Sequence, residues 1–281
     1  MFKARFRFLV LAGLLGFVAR PAARAQAGAA PLCIGQTFAL PSAVLGETRR
    51  INVYLPASYT DSATGLPVLY MPDGGLGEDF LHVAGLVQVL TGNGTMRPFI
   101  VVGIENTERR RDLTGPTTNA EDQKIAPRVG GSAAFRQFIR TELMPAIRQR
   151  YRTTAETAIV GESLAGLFVV ETLLREPALF DTYVAFDPSL WWNDGQLANQ
   201  AAQQLRTYAG SAKTLYVAFS RDALGTAPVR HFAAALRHAP QPGLNWHYQA
   251  LPDETHATIY HPAALRAFRL VFKPRPVLPA K

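Results

Sequence analysis

The strongest constraint on the fold of this chain is an alternation of two apolar periods between residues 49 and 272. "LPVLYMP" (66–72) and "PFIVVGIE" (98–105) are continuous apolar runs bounded by turn residues, the pattern of strands buried on both faces. "RRINVYLP" (49–56) alternates instead, with Ile51, Val53 and Leu55 on one side, and "QTFALPS" before it is placed to pair with it through a turn at Gly46. "TAIVG", "DTYVAFD" (181–187), "TLYVAFS" (214–220) and "NWHYQAL" (245–251) bring the set to about eight strands. Helical spacing fills the intervals: "SAAFRQFIRTELMPAIRQRYR" (132–152), with Ser132 as cap and a kink expected at Pro145, then "SLAGLFVVETLLRE" (163–176), "APVRHFAAALRHA" (227–239) and "HPAALRAFRLVF" (261–272). Such alternation predicts an α/β fold, a mostly parallel sheet with helices on both faces. Sheets of that kind bind ligands beyond the carboxyl ends of their strands.

The amino terminus reads differently. Lys3, Arg5 and Arg7 precede an apolar stretch from Phe8 to Val18, and small-x-small sites follow at 23–25 and 25–27. This is the layout of a cleavable signal peptide over residues 1–25, with an apolar core too short to span a bilayer. It implies a periplasmic or secreted protein with no stable membrane anchor. Residues 26–281 are then expected to form one domain, with a loose Pro-rich tail from about 273.

The leader also accounts for most of the net charge of +8. Five of the 29 basic residues lie within it, leaving 24 against 21 acids, which gives no reason to expect a nucleic-acid partner. Cys33 is the one cysteine, so no internal disulfide is available and stability must come from the core.

"GESLAG" (161–166) lies where the most apolar strand gives way to the most apolar helix. A serine held there between small residues is the signature of a nucleophile elbow, although Ala165 stands where Gly-x-Ser-x-Gly has its last glycine. Ser163 is therefore the candidate nucleophile. A serine hydroxyl needs a base, and in this arrangement the histidine follows the last strand, which selects His256 in "LPDETHATIY". For the acid that orients the imidazole, Asp222 after the penultimate strand is the first choice. Asp187 and Glu254 are the alternatives, and a Ser–His dyad remains open.

Two backbone donors are needed for an oxyanion; Leu164 and, in "MPDGGLGEDF", Gly75 are the candidates. The polar segment opening with "NTERRRDLTGP" (106–116) and the pair in "DPSLWW" (187–192) form candidate substrate walls, with Arg111, Trp191 and Trp192 as substrate contacts. No metal-ligand set or phosphate loop is visible in the chain, and no cofactor is expected.

"VLYMPDGG", "VVGIENTERRRDLT", "GGSAAFRQFIRTELMPAIRQRYRT", "AIVGESLAGLFVVETLL" and "DPSLWW" occur in the order and spacing of a known family. Over residues 34 to 272 the chain resembles the putative esterases, a group that includes the enterochelin and salmochelin siderophore esterases. The group is related to esterase D, the feruloyl esterases and the mycolyltransferases. The resemblance implies an α/β-hydrolase fold with Ser163 as nucleophile, His256 as base, and Gly75 and Leu164 as the oxyanion hole. Glu162 and Leu164 replace the family's usual His or Tyr beside the serine, and Asp187 replaces its usual serine in "SPSLWW". The reading is a serine esterase acting through an acyl-enzyme on a small-molecule ester, such as a siderophore or an aryl or acetyl sugar ester. The alternatives are an acyltransferase of the mycolyltransferase type and a non-catalytic ligand-binding protein of the same fold.

Overall fold

Unbroken burial along the central β-strands places the core on both faces of one sheet. A computed structural model describes residues 30–61, 63–206, 212–239 and 242–274. The expected signal peptide and the tail beyond 274 lie outside the described residues. The chain divides after Cys33, and the elements below all belong to the unit that starts at Ile34.

The strands are β1 (Gln36–Ser42), β2 (Glu47–Tyr54), β3 (Leu66–Pro72), β4 (Ile100–Ile104), β5 (Thr153–Glu162), β6 (Thr182–Phe186), β7 (Lys213–Ser220) and β8 (Leu244–Leu251). Among the described residues they form one eight-stranded sheet in the order β1-β2-β4-β3-β5-β6-β7-β8. β1 pairs antiparallel with β2, and β2 with β4, while every pair from β4 to β8 is parallel. Gly46, at φ 67°, makes the β1–β2 turn, as the sequence predicts.

The helices are α1 (Ser58–Asp61), α2 (Phe80–Gly92), α3 (Arg109–Leu113), α4 (Ala120–Lys124), α5 (Ser132–Phe138), α6 (Met144–Arg150), α7 (Leu164–Arg175), α8 (Trp192–Arg206), α9 (Ala227–His238) and α10 (Tyr260–Val271). One core joins Val68, Tyr70, Ile100, Val102 and Ile159 to side chains of α5 through α9. The other joins Leu69, Met71, Val101, Val160 and Val184 to α2 and α10. Consecutive residues of one strand thus serve opposite cores, which is why these strands read as unbroken apolar runs. The kink expected at Pro145 takes the form of a π-helical turn at Ile139–Leu143, just ahead of the proline at the start of α6. Proline has no N–H to give to the preceding turn, and widening that turn absorbs the mismatch. No helix among the described residues is long and apolar enough to cross a membrane.

The polar segment after β4 is not a bare loop. It carries α3 and α4 and is tied to the sheet by charge. The fully buried Arg49 guanidinium pairs with Asp112 of α3 and with Glu47, and lies over the Phe135 ring. Asp112 also accepts from Arg111 Nε at 2.6 Å. Removing one partner of a buried pair strands the other charge. Asp112→Ala is accordingly expected to cost about 3 kcal/mol of unfolding free energy, read from the urea midpoint at unchanged slope.

Candidate active site

β5 ends at Glu162 and α7 begins at Leu164, so Ser163 alone makes the turn between them. Its φ of 60° and ψ of −120° lie in a region that L-residues avoid, which holds the hydroxyl out from the chain. The Ser163 N–H donates to the Phe186 carbonyl at 3.0 Å, and its own carbonyl accepts from Leu167 N–H at 2.9 Å and Ser189 N–H at 3.0 Å. The elbow also demands close approach. A Cβ on Gly161 would lie 2.7 Å from the Ala165 methyl, and one on Gly166 would lie 2.9 Å from the Phe186 carbonyl oxygen. The glycine requirement therefore falls on 161 and 166, and Ala165 sits fully buried in the position where the usual motif has glycine.

Sheet register assembles the rest. Glu162 pairs with Phe186, so Ser163 and Asp187 leave neighbouring strands side by side. His256 comes from the loop between β8 and α10. Its Nε2 lies 3.1 Å from Ser163 Oγ, and its Nδ1 lies 3.0 Å from Asp187 Oδ2. The carboxylate can only accept, so Nδ1 carries the proton and the Nε2 lone pair faces the serine hydroxyl. Asp187 is buried, with φ 40°, and also accepts from Ser220 N–H at 2.7 Å and Ser220 Oγ–H at 2.5 Å. These bonds fix the carboxylate before it meets the imidazole.

The carboxylate on the imidazole is Asp187, not Asp222. Asp222 lies two residues beyond the end of β7, and from there its Oδ2 accepts the backbone N–H of His256 at 2.8 Å. It positions the loop, while the ring is held by the residue that leaves β6. Glu254 accepts from Thr258 Oγ1 at 2.7 Å and makes no bond to the imidazole.

Three other expectations are corrected. The Gly75 N–H donates to Glu78 Oε2 at 2.7 Å and is not free to receive an oxyanion. The Leu164 N–H opens α7, where the first amides of a helix lack intrahelical acceptors. Arg111 turns inward to Glu47, Glu108 and Asp112, away from the site. Trp192 is buried and donates from Nε1 to the Gly115 carbonyl at 2.9 Å, so it supports the segment after α3. Trp191 differs from its neighbour: it is 52% exposed and lines a mostly apolar cavity of about 230 Å³ together with Leu190, Pro228, Val229, Asp222 and His256. Among the described residues, no group of three or more His, Cys, Asp or Glu side chains is placed to hold a metal ion.

The electrostatics make the imidazole a stronger base. The hydrogen bond to Asp187, opposed by partial burial and aided by the charges of Glu162, Asp187 and Asp222, raises the His256 pKa above 6.5. Glu162 Oε1 lies 3.8 Å from Nε2, on the side of the serine. Burial pushes the Glu162 carboxyl up to about 7, against the pull of His256 and Arg109. Burial and Asp73 likewise push Asp79 up to about 6. Arg109, the guanidinium of this group, is gripped by both oxygens of Asp73 at 2.7 Å.

Comparisons with known proteins agree with this architecture. The family model described as "Putative esterase" matches residues 42–222. The chain is 33% identical over 165 residues to the ferri-bacillibactin esterase BesA of Bacillus subtilis, covering 52% of this chain and 56% of that protein. It is 30% identical over 175 residues to the siderophore triacetylfusarinine C esterase of Aspergillus fumigatus, covering 58% of each. The chain thus spans somewhat over half the length of these curated relatives. A crystal structure of an IroE-like serine hydrolase from Shewanella oneidensis superposes with a TM-score of 0.76 at 32% identity, covering 85% of this chain and 80% of that one. The fold is that of the α/β-hydrolases.

Two measurements test the geometry without reference to activity. In a histidine NMR titration His256 should ionise above 6.5, and Asp187→Asn should lower its pKa by more than Asp222→Asn does. Gly161→Ala should destabilise the protein by about 1–3 kcal/mol through overpacking. Ala165→Gly, which opens space at the same contact, should cost only about 1 kcal/mol as a glycine in a helix.

Proposed function

This chain belongs to the Putative esterase family, and on that premise we propose that it is a serine carboxylic-ester hydrolase of siderophore-type esters. The observation that carries the reading is the continuous path Ser163 Oγ–His256 Nε2 and His256 Nδ1–Asp187 at 3.1 and 3.0 Å, with the imidazole half exposed at the carboxyl edge of the sheet. Ser163 Oγ–H gives its proton to Nε2 as the oxygen attacks the ester carbonyl. Asp187 keeps the imidazole in the required tautomer and stabilises the imidazolium that forms. The Leu164 amide faces the developing oxyanion. His256 then protonates the leaving alcohol, and in the second half of the cycle it takes a proton from the water that frees the acid.

The names of the two curated relatives, each an esterase of a siderophore, support a siderophore ester as substrate. The cavity beside Trp191 is suited to a flat apolar group next to the scissile bond. Export through the basic, apolar and small-residue layout of residues 1–25 is part of the same proposal. The enzyme is then periplasmic or secreted.

Ser163→Ala is expected to abolish labelling by a fluorophosphonate and to reduce p-nitrophenyl acetate hydrolysis to the uncatalysed rate. Full turnover by that variant would overturn the assignment. Asp187→Asn should lower kcat by about 10³–10⁴, as loss of the orienting acid does in serine hydrolases, whereas Asp222→Asn should stay within about tenfold because its amide oxygen still accepts the His256 N–H. The base must be neutral, so kcat/KM should fall as pH drops through the raised His256 pKa, with the limb above 6.5.

A further inference from the structure

Glu162 is the carboxylate nearest the nucleophile, and the mechanism leaves it without work. It ends β5, directly before the nucleophile, and its Oε1 lies 3.8 Å from the same imidazole nitrogen that faces Ser163 Oγ. Its side chain is 18% exposed. Asp187 beside it is committed to His256 and Ser220, and Asp222 to the His256 amide. Each of these acids has a structural task, whereas among the described residues Glu162 has no hydrogen-bonded partner, only His256 Nε2 at 3.8 Å.

The groups acting on Glu162 are His256, Asp79, Arg109 and Asp187, and the buried Tyr260 feels Glu162, Asp79 and Asp73 in turn. Arg109 is the cation of this set apart from the imidazole, and its Nε and Nη2 both donate to Asp73. At pH 8, where Glu162 and Asp79 are ionised, the ground beside the nucleophile is therefore net negative when His256 is neutral, the state that attacks substrate. A reacting ester lies against Ser163 and so within a few ångströms of Glu162. At that range, in a partly desolvated site, one unit charge changes the binding of another by about tenfold or more.

We propose that Glu162 makes this a charge-selective esterase, favouring esters that are neutral or carry a cationic group near the scissile bond and excluding anionic ones. This rests on the serine-hydrolase reading above and narrows its substrate class. Among iron-loaded esters it selects uncharged chelates of the hydroxamate type over polyanionic catecholate chelates.

The test uses three p-nitrophenyl esters of similar length at pH 8 and low salt, with charged ends that cannot attack their own ester: butyrate (neutral), 4-sulfobutyrate (anionic) and 4-(trimethylammonio)butyrate (cationic). For the wild-type protein kcat/KM should fall in the order cationic, neutral, anionic. In Glu162→Gln the cationic-to-anionic ratio should drop by about tenfold, while Glu162→Asp should preserve the order. Ratios compare substrates on one protein and are insensitive to a general loss of active enzyme. Should Glu162→Gln fail to fold, the wild-type ratio should itself shrink towards one as ionic strength is raised. Turnover of butyrate with the same ratio in wild type and Glu162→Gln overturns this proposal alone, as does a wild-type preference for the anionic ester. Absence of Ser163-dependent butyrate turnover overturns the hydrolase reading and this one with it.

Discussion

The site depends on how closely β5, α7 and β6 approach one another around Ser163. A single residue reverses the chain there, and it does so in a backbone conformation that side chains resist. What holds it is the packing of Gly161 against Ala165 and of Gly166 against the Phe186 carbonyl, together with the bonds from Phe186 and Ser189 to the Ser163 backbone. Strain is repeated along this edge. Asp73, Ser163 and Asp187 all have positive φ, and they follow β3, β5 and β6, which are adjacent in the sheet. Three strained non-glycine residues at the carboxyl ends of three neighbouring strands mark where the core's stability is spent on function.

The two cores around the sheet supply the rigidity this requires. α7 is buried along almost its whole length, and its one buried acid, Glu171, is met by Arg136 at 2.9 Å. α10 packs on the opposite face, and the loop that leads into it carries His256. The nucleophile and its base thus come from opposite sides of one sheet and meet at its rim.

Much of this was legible in the sequence, because burial on both faces of a parallel strand leaves an unbroken apolar run, and chain order places serine and histidine at strand ends. The acid was not legible. Asp187 and Asp222 both follow strands on the correct side of Ser163, and only the register of β5 against β6 and the two bonds from Ser220 decide between them. Arg111 and Trp192 read as substrate contacts because sequence alone cannot tell a guanidinium aimed at a ligand from one aimed at Glu47 and Asp112. The Gly75 amide was likewise readable as free, since its acceptor is a side chain three residues further on. Glu162 stood out in the sequence only as a departure from the family pattern. Its meaning depends on distance to His256, which no local pattern encodes.

The most direct measurement is a crystal structure of the protein after reaction with an alkyl fluorophosphonate. The account predicts phosphorus bonded to Ser163 Oγ, its oxygen on the Leu164 amide, and His256 still bonded through Nδ1 to Asp187. An adduct on another residue, or an imidazole bound to Asp222 with Asp187 turned away, would contradict it.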